Sequence, residues 1–421
     1  MRINTNVKRV LSLRTILQYI FLYLFLICHD AAIYRENTML FRIAIIVICI
    51  AAILGMKKIN RGFIMFIGCV TTYILFRGGV RSTMNLVEHI LITYVAINID
   101  KENFCERFVR ICFFFAVISL PIYLLGLLKP DVLLNIFNKE NNVGWAYYGI
   151  PYNMRGRLFY TVRKMELYRN NSIFTEPGIY QMLLNSSLFI LLMMRDKLPH
   201  FTNKKITLYA FVFSLTTLTT GSTTAFLALF MIYVIYILNL RAIKRMDEDP
   251  KATTKIARKV IFIGVVALII LIINYAISKQ ESILHTYVFQ KILEMFSDGT
   301  SGHARTSMIE MCMGLALTHF FGAGEAFVAS TIRYLDEGAN GAILIHSFAS
   351  FGILPVLLIL IYYFKDLFSK YVTVLGAILI IGLYLNTALA QSRLLYPSLI
   401  MLPIIYSDYC RKKYVESKAC T

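Results

Sequence analysis

A few residues in this chain have types and positions that could do chemistry. In "RNNSIFTEPG", Arg169 and Glu176 stand just before a long apolar run. Upstream, the same segment is crowded by Arg155, Arg157, Arg163 and Lys164. Arg305 and His303 open a helical pattern in "SGHARTSMIEMC", His346 begins the apolar stretch "HSFASFGILP", and Asn386 and Arg393 lie in "NTALAQSRLLYPS". Guanidinium groups match phosphate well, so a cluster of them at a membrane face suggests an anionic partner, lipid headgroups included. An ionisable residue at membrane depth is a functional candidate, and an imidazole can serve as a general base. Each has a plainer reading. Glu176 is also a carboxylate at the positive end of a helix that Pro177 opens and Thr175 could cap. Arg305 could be a solvated loop arginine, and His346 a histidine bonded to a neighbouring helix. His29 and His89 read as structural or interfacial residues.

The elements that must position these residues are membrane helices. Of 421 residues 58% are hydrophobic and only 16% charged, with 26 Tyr and 30 Phe; the mean hydropathy is +0.64. Soluble domains are more charged and less apolar. A span needs roughly 20 apolar residues. Candidate runs are 11–28, 39–55, 62–76, 83–99, 108–128, 177–194, 206–220, 222–240, 259–277, 342–362, 371–388 and 392–408, about twelve spans. The basic start followed by an apolar run reads as an uncleaved first span. Most of the net charge of +19 lies in alternate loops such as "GMKKINRG", "RDKLPHFTNKK" and the tail "CRKKYVESK". This places both termini in the cytoplasm. The same charge argument folds 206–240 into a hairpin turning near Gly221. The chain is thus expected to be one all-α, polytopic membrane domain over 1–421. Two long outer loops, 129–176 and 278–341, should cap it with short amphipathic helices.

Other chemistries find no support in the residues. The eight cysteines form no CxxC pair and no metal-ligand spacing. "GAGEAF" follows no strand pattern, so it does not read as a dinucleotide site. Cofactors, metals and nucleic-acid partners are not expected.

Three motifs together resemble a family. "RNNSIFTEPG" is similar to the R-x-x-G-x-F-x-E-P-G signature of bacterial O-antigen and capsular polysaccharide polymerases of the Wzy type. "SGHARTSMIEMCMGLALTHFFGAGEAF" resembles their second outer loop. "HSFASFGILP" is similar to a histidine segment they share with O-antigen ligases. Ser172 stands at the signature's glycine, Ile309 where an aromatic often follows the loop arginine, Ser347 at an asparagine, and Thr223 where relatives often have arginine.

The resemblance implies a glycosyltransferase at the periplasmic face of the inner membrane, with a GT-C-like arrangement of helices. Such an enzyme moves a growing glycan from undecaprenyl pyrophosphate to the next lipid-linked repeat unit. Its partners would be that carrier-linked oligosaccharide, the bilayer and a polysaccharide chain-length regulator. The acceptor hydroxyl attacks the anomeric carbon while lipid pyrophosphate leaves, and fixed cations ease that departure. Arg169 and Arg305, then Arg393 and Arg157, would bind the pyrophosphate. His346 or Glu176 would take the hydroxyl proton, with His346 preferred. Two rivals stay open. An O-antigen ligase would use the same donor but deliver it to lipid A core. A flippase for lipid-linked oligosaccharide should carry charges buried within several spans and show repeat symmetry; neither is evident in the sequence.

Overall fold

The computed structural model describes residues 13–56, 60–138, 140–147, 150–156, 158–162, 167–244, 301–334, 342–391 and 393–419. Among these the chain is mostly helical. The first half contributes α1 (Leu13–Ile27), α2 (Ala32–Glu36), α3 (Thr38–Leu54), α4 (Arg61–Ile99), α5 (Phe104–Leu128) and α6 (Pro130–Ile136). A hairpin of β1 (Glu140–Tyr147) and β2 (Ile150–Arg155) follows, then α7 (Pro177–Met193), α8 (Asn203–Thr219) and α9 (Thr223–Lys244). Beyond residue 300 come α10 (Ser301–Thr318), α11 (Glu325–Tyr334), α12 (Ile343–Phe351), α13 (Ile353–Phe364), α14 (Val374–Ala388) and α15 (Pro397–Ala419).

Among the described residues, three helical stretches are long and apolar enough to cross a membrane: Arg61–Ile99, Phe104–Leu128 and Thr223–Leu240. Five apolar helices of 10–17 residues accompany them. Large apolar side chains such as Leu40, Met65 and Phe76 face outward, each at least 70% exposed. A water-facing surface rarely carries such side chains over so wide an area, whereas lipid accepts them. The centre is α7, all seventeen of whose residues are buried.

Two reversals set the path of the chain. Helix α4 spans 39 residues, but Gly79 within it has φ 71° and ψ −175°. The rings of Phe63 and Tyr94 stack at 3.8 Å, although an unbroken helix would hold them roughly 47 Å apart. So α4 folds back at Gly79 into two antiparallel limbs, matching the separate runs 62–76 and 83–99. Likewise Ser214 on α8 lies 2.6 Å from the Tyr233 hydroxyl on α9, and Gly221 takes φ +58° at the turn between them. The hairpin expected from loop charge is therefore present.

Three expectations need correction. The run 342–362 is two helices, α12 and α13, broken at Gly352 with φ 93° and ψ 150°. The first outer segment carries a β-hairpin as well as the short α6, with Glu140 opposite Arg155 and Tyr147 opposite Ile150. Its Val143, Trp145, Tyr147, Ile150 and Tyr152 are strand-favouring types. Third, Glu176, with φ −136° and ψ 139°, is itself the N-cap of α7, and the Thr175 hydroxyl bonds elsewhere. The apolar run 259–277 lies outside the described residues.

The break at Gly352 has a clear cause. The backbone of 320–324 crosses that of 349–353 at contact distance. Ala323 donates to the Ala349 carbonyl at 2.7 Å, Gly324 to Ser350 at 3.0 Å, and Ile353 to Phe320 at 3.1 Å. A Cβ on Gly352 would meet the Phe320 oxygen at 2.6 Å, and one on Gly322 would meet the Ser350 oxygen at 2.5 Å. The glycines of "GAG" thus permit a backbone crossing. The Tyr73 hydroxyl binds there too, 2.8 and 2.7 Å from the carbonyls of Phe321 and Phe351. Below the crossing, Met308 and Cys312 of α10 pack with Val328, Ile345 and Ala349. Gly352→Ala is expected to destabilise the protein by about 2–3 kcal/mol, from an almost glycine-only conformation plus the clash. Thermal unfolding in detergent checks this, and an unchanged melting temperature would refute the crossing.

Candidate functional site

Of the sequence candidates, His346 and Arg393 come together at one end of the bundle. A cavity of about 100 Å³ there is lined by His346, Arg393, His89, Glu325, Ser82 and Asn85, with apolar residues between them. His346 is half-buried on α12, its Nδ1 3.5 Å from the Ser350 hydroxyl. Helix α12 starts at Ala342, a left-handed residue with φ 58°. It is anchored there by the Ile343 amide donating to the Gln391 carbonyl at 3.2 Å.

Arg393 is buried and fully engaged. It donates to a carboxylate oxygen of Asp30, to His89 Nε2 at 2.7 Å and to the Cys28 carbonyl at 3.3 Å. Asp30 also pairs with Arg35 at 2.9 Å. One carboxylate thus faces two guanidinium groups. Because Arg393 donates to Nε2, His89 must carry its proton on Nδ1, which reaches the Leu395 carbonyl at 2.5 Å. His29 repeats the pattern: the Ser398 amide donates to Nε2 at 2.9 Å, and Nδ1 lies 2.9 Å from the Phe25 carbonyl. Both histidines are buried and hydrogen-bonded inside the bundle. His89 holds Arg393 in place.

A second buried network adjoins the first. Glu88 accepts from the Tyr34 hydroxyl at 2.6 Å and lies 3.5 Å from Arg42 Nε. Both Arg42 and Glu88 are buried between α3 and α4. The sequence argument that no charges are buried within the spans therefore fails. Arg42, Glu88 and His89 sit inside apolar runs, and the rule that ionisable residues at membrane depth demand a reason should have found them.

Glu176 and Arg169 stand at the same end but do not line the cavity. Thr175 ties the Glu176 segment to the cluster: its amide and hydroxyl both donate to the Asp30 carbonyl at 3.1 Å. Gly178 sits against Gln391, where a Cβ would meet the amide nitrogen at 2.3 Å. Arg169 lies on the α8–α9 turn, donating to the Thr220 carbonyl at 3.3 Å. Arg305 lies in the first turns of α10. Arg157 is outside the described residues, as are Arg163 and Lys164. Glu325, absent from the sequence candidates, opens α11 and accepts a hydrogen bond from Ser82.

Three non-glycine residues take left-handed backbone conformations among the described residues: Asp30 (φ 64°), Ser172 (φ 50°) and Ala342 (φ 58°). All three belong to the segments around this site. Such strain persists only where the surroundings impose it, and it concentrates at functional sites. Ser172 is also the position where the resembled signature has glycine, which takes this conformation without steric cost. Ser172→Gly is expected to leave the melting temperature unchanged or to raise stability by up to about 1 kcal/mol. A marked loss on thermal unfolding would mean that the hydroxyl, not the backbone, matters there.

Among the described residues no cluster of three or more His, Cys, Asp or Glu could hold a metal ion. What fold and site define together is a mostly helical protein with helices of membrane-crossing length and a charged cavity at one end. No protein-family model, curated protein or solved structure matches the chain.

Proposed function

We propose that the protein is a bacterial surface-polysaccharide polymerase of the inner membrane, with about twelve spans in a GT-C-like arrangement. It transfers a growing glycan from undecaprenyl pyrophosphate to a lipid-linked repeat unit at the periplasmic face. The observation that carries this reading is the cavity in which His346 and Arg393 meet. The three motif segments lie around it, at the end of the bundle that loop charge assigns to the outside. The acceptor hydroxyl attacks the anomeric carbon and the anomeric carbon–oxygen bond to pyrophosphate breaks. The hydroxyl proton passes to His346, and the pyrophosphate leaves with its charge met by arginines. Arg393, compensated by Asp30, fixes the positive side of the cavity. Arg169, Arg305 and Arg157 are the cations of the surrounding segments. Glu176 orients the start of α7, and Glu325 places a carboxylate in the cavity.

A second reading is a flippase for the same lipid-linked units. The charges buried between α3 and α4 favour it, because a translocation path needs polar groups at depth. Deleting the gene in its host, with surface and lipid-linked glycans resolved by gel and mass spectrometry, separates the possibilities. A polymerase deletion should leave single repeat units on the outer-membrane lipid and no ladder. Polymer accumulating on the carrier at the outer face would mean ligase. Single repeats trapped on the cytoplasmic face would mean flippase.

A further inference from the structure

The end of the bundle away from the candidate site holds a larger cavity, about 310 Å³. It opens between the two limbs of α4, the start of α5, the link after α7, the end of α13, and α15. Its lining has two parts. One wall is apolar and aromatic, built on the Phe63–Tyr94 stack, with Tyr362 stacked on Phe66 at 3.6 Å beside it. The rim is charged, and four cations (Lys101, Lys197, Lys365 and Arg411) face two carboxylates (Asp366 and Asp408).

Those carboxylates do not satisfy the cations evenly. Asp408 is shared by Arg411 at 3.3 Å, Lys412 at 3.7 Å and Lys101 at 3.9 Å. Lys365 rests over the Tyr362 ring at 4.5 Å. Lys197 is half-buried on the link between α7 and α8, and burial together with the neighbouring Lys412 ammonium pushes its pKa down. Four cations against two carboxylates around one cavity favour a further anion among them. Its apolar wall distinguishes the cavity from a site for a fully solvated ion.

We propose that this cavity binds the phosphate of an acidic phospholipid headgroup, with Lys197 and Lys365 gripping the phosphate and the aromatic wall holding the first carbons of the lipid. Basic pockets between membrane helices at the surface of a leaflet take such headgroups, each lysine adding to the attraction. This inference does not depend on the catalytic reading of the opposite end.

The test uses the full-length protein in detergent, offered phosphatidylglycerol and phosphatidylcholine in equal amounts and examined by native mass spectrometry. The wild type should retain one phosphatidylglycerol in roughly tenfold or greater preference, and Lys197→Gln/Lys365→Gln should lose that preference. Lys197→Arg should keep it. Equal retention of the two lipids, or undiminished phosphatidylglycerol on a double variant that melts like wild type, would overturn the proposal. Displacement of the lipid by millimolar inorganic phosphate would overturn the lipid as source and leave a soluble anion. If the double variant does not fold, the exposed Lys365→Gln decides, with a several-fold loss expected and no loss contradicting the assignment.

Discussion

Asp30→Asn is expected to cost about 5 kcal/mol of stability and Arg393→Ala about 3 kcal/mol, and both are expected to abolish polymer formation. The order follows from the geometry. Asp30 contacts both Arg393 and Arg35, and its side chain is fully buried. Removing its charge takes the carboxylate away from both guanidinium groups at once. Removing Arg393 leaves Asp30 still paired with Arg35, so the uncompensated charge is smaller. Asparagine tolerates the left-handed backbone at position 30, so the Asn variant isolates charge from strain. Thermal unfolding of the three purified proteins in detergent reads both numbers. If Arg393→Ala proves the more damaging, or if neither variant shifts the transition, the buried pair is not what holds this end together.

His346→Ala should behave in the opposite way, with the fold nearly intact and activity reduced by about 10²–10⁴-fold, the usual contribution of a general base. His346 is half-buried, and its one hydrogen-bond contact, to Ser350, is long at 3.5 Å. Little packing is lost when it is trimmed. The glycan ladder made by a deletion strain carrying the variant, normalised to membrane-inserted protein, gives the measurement. His346→Gln, which keeps shape and hydrogen bonding without basicity, should fail as well. A full ladder from either variant removes His346 from the proton-transfer role and directs attention to Glu325 or Glu176.

The helices were legible in the sequence because lipid imposes a length on apolar runs. The runs 39–55, 177–194 and 371–388 became Thr38–Leu54, Pro177–Met193 and Val374–Ala388. The turn at Gly221 was legible because loop charge alternates with topology. The break at Gly352 was not, since a glycine inside an apolar run changes neither its hydropathy nor its period. The β-hairpin could have been suspected from its aromatic and β-branched residues but was masked by an expectation of helices. At the site, Arg393 and His346 were found as odd residues near span ends. Asp30 was not, because its meaning lies in a partner 363 positions away, and no local pattern reports such a contact. Arg42 and Glu88 left a signal inside their apolar runs, and it was passed over.

That separation also fixes a schedule for biosynthesis. Asp30 emerges near the start of the chain and meets Arg35 at once, but Arg393 follows roughly 20–70 s later at ordinary rates of synthesis. The Thr175 strap, the limbs of α4 and the 320–324 crossing are all made before it. The nascent protein therefore carries an unfinished charge cluster through most of its synthesis, and the arrival of Arg393, just before the last helix, completes it. A chain that stops short of Arg393 would lack both the last helix, Pro397–Ala419, and the guanidinium that completes the cluster around Asp30.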